Sequence, residues 1–244
     1  MELFLVPNDP ERTVLVSANG VAHYQVRTSK IKHGPWVSVI RRPAETEEDS
    51  IVAEVEWRCW KAPTIIQCPL LSNLASRIGK RGFGVPASTF LYKQCRSSSY
   101  VLFYSMAGTS NHSDIFSTRY FLGNDGVEYR WKDFKGVGMV VRFLVVPSSR
   151  LAPLNRILLL TKLTRSDTGQ EVARYSYEVN EEGLFAGEKK SRIRIQPCSV
   201  DIDLVVLSFV IVEKKKRDHA GDGTRRSLHD EDPLECGMDG GIEG

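Results

Sequence analysis

Residues 199–217, S-V-D-I-D-L-V-V-L-S-F-V-I-V-E-K-K-K-R, decide how the rest of the chain is read. From Leu204 to Val212 every residue is apolar except Ser208, so the run must be covered on all sides. Its β-branched residues Val205, Val206, Val210, Ile211 and Val212 suit a strand. Continuous apolarity alone does not separate a buried strand from a buried helix; the flanks do. Ser199 is a candidate N-cap with Asp201 and Asp203 in the first turn. Lys214, Lys215, Lys216 and Arg217 stand in the last turn, the arrangement that complements a helix dipole. Gly221 and Gly223 follow as a stop. The segment predicts a helix over residues 201–217, roughly 25 Å long. A bilayer span takes about 20 apolar residues, so this helix is too short and too charged at its end to cross one.

The chain that precedes it reads as strands. Alternation is clearest over residues 51–60, where Ile51, Ala53, Val55, Trp57 and Cys59 oppose Glu54, Glu56 and Arg58. It recurs over 21–28, with Ala22, Tyr24 and Val26 on one side, and over 127–132, with Val127, Tyr129 and Trp131 opposite Glu128, Arg130 and Lys132. A period of two places alternate residues on opposite faces of a sheet. Further strands are expected at 2–6, 13–17, 36–42, 64–68, 116–122, 139–146, 156–163, 171–178 and 192–196. Asn19-Gly20 and Asn124-Asp125-Gly126 are hairpin turn signals, and acidic residues 45–49 read as a loop. Residues 70–114 are less regular: a short helix at 72–78, a basic glycine loop at 79–84 and a strand at 100–106 make an inserted region. A sandwich has no place for a helix that is apolar all round, whereas a closed antiparallel barrel threaded by the helix does.

Composition sets the outer bounds. The 244 residues are 41% hydrophobic and 26% charged with a formal net charge of +3, which suits one large globular domain or two small ones with a sizeable core. The charge is unevenly placed. From Asp218 onward two arginines face eight carboxylates, a net of −6, so residues 1–217 carry +9. That division predicts a domain body over 1–217 and a disordered acidic, Gly-rich tail over 218–244. The five cysteines (Cys59, Cys68, Cys95, Cys198 and Cys236) form no C-x-x-C pair and are odd in number. With a strand-like M-E-L-F-L-V opening, they predict an intracellular protein with reduced thiols, in which the sequon Asn111-His112-Ser113 stays unused.

Several of these residues also carry a resemblance. Arg119-Tyr120-Phe121, Asn124-Asp125-Gly126 and Glu128-Tyr129-Arg130-Trp131-Lys132 resemble the "R-x-F … D-G-x-x-Y-x-W-K" signature of an uncharacterised fungal domain family common in basidiomycetes. Glu54-Val55-Glu56-Trp57 resembles its first tryptophan strand, and Gln170-Glu171-Val172-Ala173 its "G-x-E-(I/V)-A" strand. Residues 203–214 are similar to its closing "D-x-I-V-x-(S/T)-F-(I/V)-x-V-E-K" helix. That family is similar in turn to the tubby C-terminal and LURP-one-like folds. The resemblance implies a closed β-barrel of about twelve strands around a central C-terminal helix. Residues 70–114 and 147–153 depart from the pattern as insertions, and the family's name implies no reaction.

The chemistry-bearing residues point the same way. No G-x-S-x-G, H-E-x-x-H or Walker pattern occurs, and His23, His33, His112, His219 and His229 lack metal-ligand spacing. Residues 79–84, G-K-R-G-F-G, have backbone N–H groups suited to phosphate but lack the P-loop pattern. Glu54 and Glu56 share a strand face with Arg58, which favours an exposed ion-pair row over an acid/base pair. The expectation is therefore a protein that is not an enzyme and takes no cofactor. The basic residues Arg130, Lys132, Lys189, Lys190, Arg192, Arg194, Lys214, Lys215, Lys216 and Arg217 are the candidate ligand-binding set. Their expected partner is an anionic phospholipid headgroup at the cytosolic membrane face; a solvated charged surface is the plain alternative. A protein-interaction scaffold acting through residues 70–114 is the other functional reading. Nucleic acid fits less well, because aromatic residues are not interleaved with the basic clusters.

Overall fold

The computed structural model describes residues 1–32, 34–58, 63–72, 84–93, 118–137 and 157–221. In chain order these form β1 (Glu2–Val6), β2 (Arg12–Val16), β3 (Ala22–Lys30), β4 (Trp36–Arg41), a short helix α1 (Glu47–Ser50), β5 (Ile51–Trp57) and β6 (Ile65–Gln67). A 3-10 turn (Pro69–Leu71), β7 (Val85–Pro86), a short helix α2 (Ala87–Phe90) and β8 (Arg119–Leu122) follow. The chain then runs through β9 (Glu128–Val137), β10 (Ile157–Arg165), β11 (Glu171–Val179), β12 (Lys189–Ile195) and the long helix α3 (Ile202–Gly221).

The strands build one antiparallel sheet in the order β7-β6-β5-β4-β3-β2-β1-β12-β11-β10-β9-β8. All connections but one join sequence neighbours; the β1–β12 pairing (Leu3 opposite Ile193) brings the two ends of the chain together. The faces follow the period of two read from the sequence. Tyr24 and Val26 of β3, Ala53, Val55 and Trp57 of β5, and Tyr129 and Trp131 of β9 are all buried. Tight turns keep that register. At the β2–β3 turn the Ser17 N–H donates to the Val21 carbonyl at 2.9 Å, with Gly20 at φ +84°, a conformation that a side chain resists.

The sheet wraps α3. Every residue from Leu204 to Glu213 is no more than 6% exposed, as an all-round apolar helix requires. Its contacts come from widely separated strands. The Phe209 ring lies 5.0 Å from that of Tyr175 on β11 and 6.3 Å from that of Trp131 on β9. Trp131 Nε1 donates to Ser208 Oγ at 3.0 Å, and the Ser208 hydroxyl donates to the Val205 carbonyl at 2.9 Å. The one polar residue in the apolar run is thus satisfied where it is fully buried.

The expected closed barrel does not form. β7 and β8 are the two edges of the sheet, and among the described residues a single bridge stands between them, Tyr92 opposite Tyr120, with two hydrogen bonds of 2.9 Å. Pro86 has no N–H to continue a ladder, and the chain turns at once into α2. Three smaller expectations are also corrected. The acidic stretch near residue 47 forms helix α1, because Thr46 caps it by accepting from the Asp49 N–H. Asp201 rather than Ser199 caps α3: its side chain accepts from the Asp203 N–H at 2.8 Å. Helix α3 runs on to Gly221, four residues beyond the expected end. The irregular region contains β7 and α2, which alternation did not reveal. The expected helix at 72–78, the glycine loop, the strands at 100–106 and 139–146, the interruption at 147–153 and the tail beyond 221 lie outside the described residues.

Candidate anion-binding face

The ten basic residues singled out by sequence do not form one cluster. They divide between the outer face of β9–β12 and the rim where α3 ends.

On the outer face the register does something no single strand reveals. Lys132 of β9 stands opposite Lys162 of β10, Lys162 opposite Arg174 of β11, and Arg174 opposite Arg194 of β12. Four cations thus form one row across four strands, about 4.8 Å apart from strand to strand. Arg194 ends the row opposite Glu2 of β1. Arg130 and Arg192 flank it, opposite Thr164 and Ser176. Lys162 and Arg174 were not in the sequence-derived set. Each looks like an ordinary outward charge on its own strand, and only pairing puts it in the row.

Like charges directly opposite each other destabilise a sheet, and carboxylates nearby offset that cost. Glu171 bridges Lys162 at 3.0 Å and Arg174 at 2.8 Å. Arg174 first, and Lys162 with it, hold the Glu171 carboxyl below its ordinary range. Glu2 lies 3.1 Å from Arg192 and 3.8 Å from Arg194, and Glu178 also pairs with Arg192. Six cations therefore share this face with Glu2, Glu128, Glu171 and Glu178, so by residue type its charge is net positive. The guanidinium-bearing side chains of Arg174 and Arg194 remain 43% and 56% exposed.

At the rim the cations are engaged with the fold. Lys214 pairs with Glu11 at 2.7 Å and lies 5.0 Å from the Trp57 ring. Lys216 pairs with Asp133 and, at 2.9 Å, with Glu213. Arg217 donates to the Asn8 carbonyl at 2.8 Å and sits 3.4 Å from Asp9. These three clamp the end of α3 to the β1–β2 turn and to β9. Lys189 lies over the Tyr177 ring at 4.3 Å, and Lys190 pairs with Glu188 at 3.1 Å. The Glu56 carboxylate is occupied by Arg58 at 2.8 Å, the ion pair expected from their shared face. Among the described residues no group of three His, Cys, Asp or Glu side chains is placed to hold a metal ion, and no helix is long and apolar enough to cross a membrane.

Residues 8–218 match the sequence model of a family of unknown function, DUF6593. The chain belongs to this family. No curated protein and no solved structure matches it. The DUF6593 match takes in all of β2–β12 and most of α3, so the cation row and the helix clamp both lie within the family's own span.

The start of α3 in this DUF6593 chain is pinned as firmly as its end. The Tyr24 hydroxyl donates to Asp203 Oδ1 at 2.7 Å, and Arg42 Nη1 to Oδ2 at 2.6 Å. Burial raises the Asp203 pKa, against the pull of Tyr24 and Arg42. Tyr129 donates to Asp125 Oδ2 at 2.6 Å, Ser199 bonds the same carboxylate, and the Asp201 N–H donates to Asn124 Oδ1 at 2.8 Å. The β8–β9 turn read from Asn124-Asp125-Gly126 thus also seats the helix.

Lys215 differs from its neighbours. Burial, then repulsion from Arg119 and Lys93, lowers its pKa from 10.5 to about 7, against the pull of Asp218. Burial likewise brings Arg119 down to about 10. A lysine with a depressed folded pKa binds fewer protons in the native than in the unfolded chain between about pH 7 and 10. Stability therefore rises with pH across that window, and below it the cost of the buried charge is fully in place. Lys215→Met is expected to melt several degrees above the wild type at pH 6–7, with the gap closing towards pH 10. Thermal unfolding followed by circular dichroism across that range checks it; a gap independent of pH contradicts it.

Proposed function

We propose that this DUF6593 chain is a non-enzymatic binding module that docks anionic phospholipid headgroups at the cytosolic face of a membrane, through the outer face of β9–β12. The observation that carries the reading is the row Lys132–Lys162–Arg174–Arg194, set in register where sheet stability alone favours alternating signs. A row of cations on the convex outside of a sheet suits an extended array of phosphates better than one small molecule, which binds in a concave site. The interior that elsewhere holds a substrate is filled by α3. We also read the family as fungal and related to the tubby C-terminal and LURP-one-like folds. The support is the signature around residues 119–132 and the common plan of twelve antiparallel strands about a C-terminal helix.

Co-sedimentation with vesicles tests the binding. At low salt the chain is expected to bind vesicles of phosphatidylcholine with phosphatidylserine or phosphoinositide, and to leave pure phosphatidylcholine vesicles in the supernatant. Each cation contributes about 1 kcal/mol near an anionic surface. Replacing Lys132, Lys162, Arg174 and Arg194 together by Gln is therefore expected to cost about a thousandfold in affinity, with cooperative melting retained. Raising the salt should erase the difference, since the Debye length falls from about 10 Å at 0.1 M to about 3 Å at 1 M. Equal binding by the quadruple variant, or none by the full chain, overturns the assignment.

A further inference from the structure

The β3–β4 hairpin combines features that the cation row lacks. Its tip is closed by the Ile31 N–H donating to the Pro35 carbonyl at 3.1 Å and the Gly34 N–H donating to the Ile31 carbonyl at 2.9 Å. Two large apolar side chains stand out there, Ile31 at 51% and Trp36 at 41% exposure. Lys30 and Lys32 are exposed beside them, with the Lys30 ammonium 6.0 Å from the Trp36 ring. Behind the tip, Arg27 stands directly opposite Arg12 of β2, both exposed.

The charge around the tip is of one sign. From Arg12 to Ala44 the sequence contains no Asp or Glu and six Lys or Arg. Of those six, Arg41 pairs with Glu47 and Arg42 with Asp203, which leaves Arg12, Arg27, Lys30 and Lys32 around the hairpin. The most exposed large apolar side chain among the described residues, Leu184 at 65% exposure, sits in a loop that carries Glu181, Glu182 and Glu188. An anionic surface repels that loop and attracts the hairpin. The tip lies at the same end of the fold as the terminus of α3. Trp36 stands opposite the buried Trp57, whose ring touches Lys214.

We propose that this tip enters the headgroup layer of an anionic phospholipid bilayer, with Ile31 and Trp36 at the acyl boundary and Lys30, Lys32, Arg27 and Arg12 on the phosphates. Tryptophan favours that boundary because its ring is apolar and its N–H polar. Exposed apolar side chains flanked by cations are the general composition of elements that lie in a membrane interface. The proposal rests on the reading that an anionic membrane is the partner, and adds which element penetrates it.

Trp36 supplies its own probe. Vesicles of phosphatidylcholine and phosphatidylserine with brominated acyl chains are expected to quench the tryptophan fluorescence of the full chain. In a Trp60→Phe background, the variant Trp36→Phe should keep measurable binding but lose most of that quenching, since the two tryptophans left, Trp57 and Trp131, are buried at 8% and 1% exposure. Ile31→Asp is expected to lower affinity for the same vesicles by roughly tenfold or more while leaving the melting curve unchanged. If the full chain binds these vesicles but Trp36→Phe is quenched equally and Ile31→Asp binds equally, the hairpin proposal falls and the headgroup reading stands. If the full chain binds no anionic vesicle at low salt, both fall. Concentration-dependent dimerisation that Ile31→Asp abolishes, with no quenching by lipid, gives the tip to a second copy and also overturns the proposal.

Discussion

Phe209→Asp leaves no cooperatively folded protein. Phe209 is 1% exposed at the centre of α3, between the rings of Tyr175 and Trp131. The substitution does two things at once. It removes an aromatic side chain whose loss costs about 3–5 kcal/mol. It also puts a carboxyl among the buried apolar and aromatic side chains of the core, at a further cost of several kcal/mol whether the group ionises or is forced to take a proton. Together these approach the whole stability of a typical domain, about 5–15 kcal/mol. The expected product is insoluble or molten: dye-binding, without near-ultraviolet circular dichroism and without a sharp melting transition. Phe209→Leu keeps the apolar contact and is expected to fold with a lowered midpoint. Normal cooperative melting of the aspartate variant contradicts the burial of α3.

Trp131→Ala is expected to fold but to lose about 3–5 kcal/mol. The indole is 1% exposed, packs against Phe209 and donates to Ser208. For a chain of this size the loss corresponds to a fall in Tm of roughly 6–20 °C. Two further variants separate packing from hydrogen bonding. Trp131→Phe keeps most of the ring and forfeits the N–H, at a cost of about 1 kcal/mol from the lost bond. Combined with Ser208→Ala in a double-mutant cycle, it should show a coupling of at least about 0.5 kcal/mol, because both residues serve one contact between β9 and α3. An unchanged Tm for Trp131→Ala, or strict additivity in the cycle, removes Trp131 from the core contact described here.

Both predictions concern an element that local sequence made legible. Nine positions from Leu204 to Val212 with one hydroxyl among them admit few environments, and the acid-then-base flanks chose helix over strand. The strand faces were equally local. Tyr129 and Trp131 point inward and Arg130 and Lys132 outward because successive side chains of a strand alternate, whatever the strand pairs with. Asn19-Gly20 and Asn124-Asp125-Gly126 announced their turns for the same reason, since left-handed backbone at Gly20 and Gly126 is a property of the residues themselves.

What only the tertiary structure decided depends on residues far apart in the chain. Lys162 and Arg174 belong to the cation row because β10 pairs with both β9 and β11 in one particular register. A slip of one residue turns each of them to the other face, and no single strand carries that information. The sequence-derived basic set likewise looked uniform, yet Asp9, Glu11 and Asp133 hold Lys214, Lys216 and Arg217 in place at the end of α3, while Arg194 stays exposed. The open seam between β7 and β8 had no local signal beyond Pro86, because closure is settled by how two distant edges meet. The cap of α3 shows the division within three residues. Ser199 and Asp201 are both competent N-caps; the β8–β9 turn engages Ser199 through Asp125, and Asp201 takes the helix.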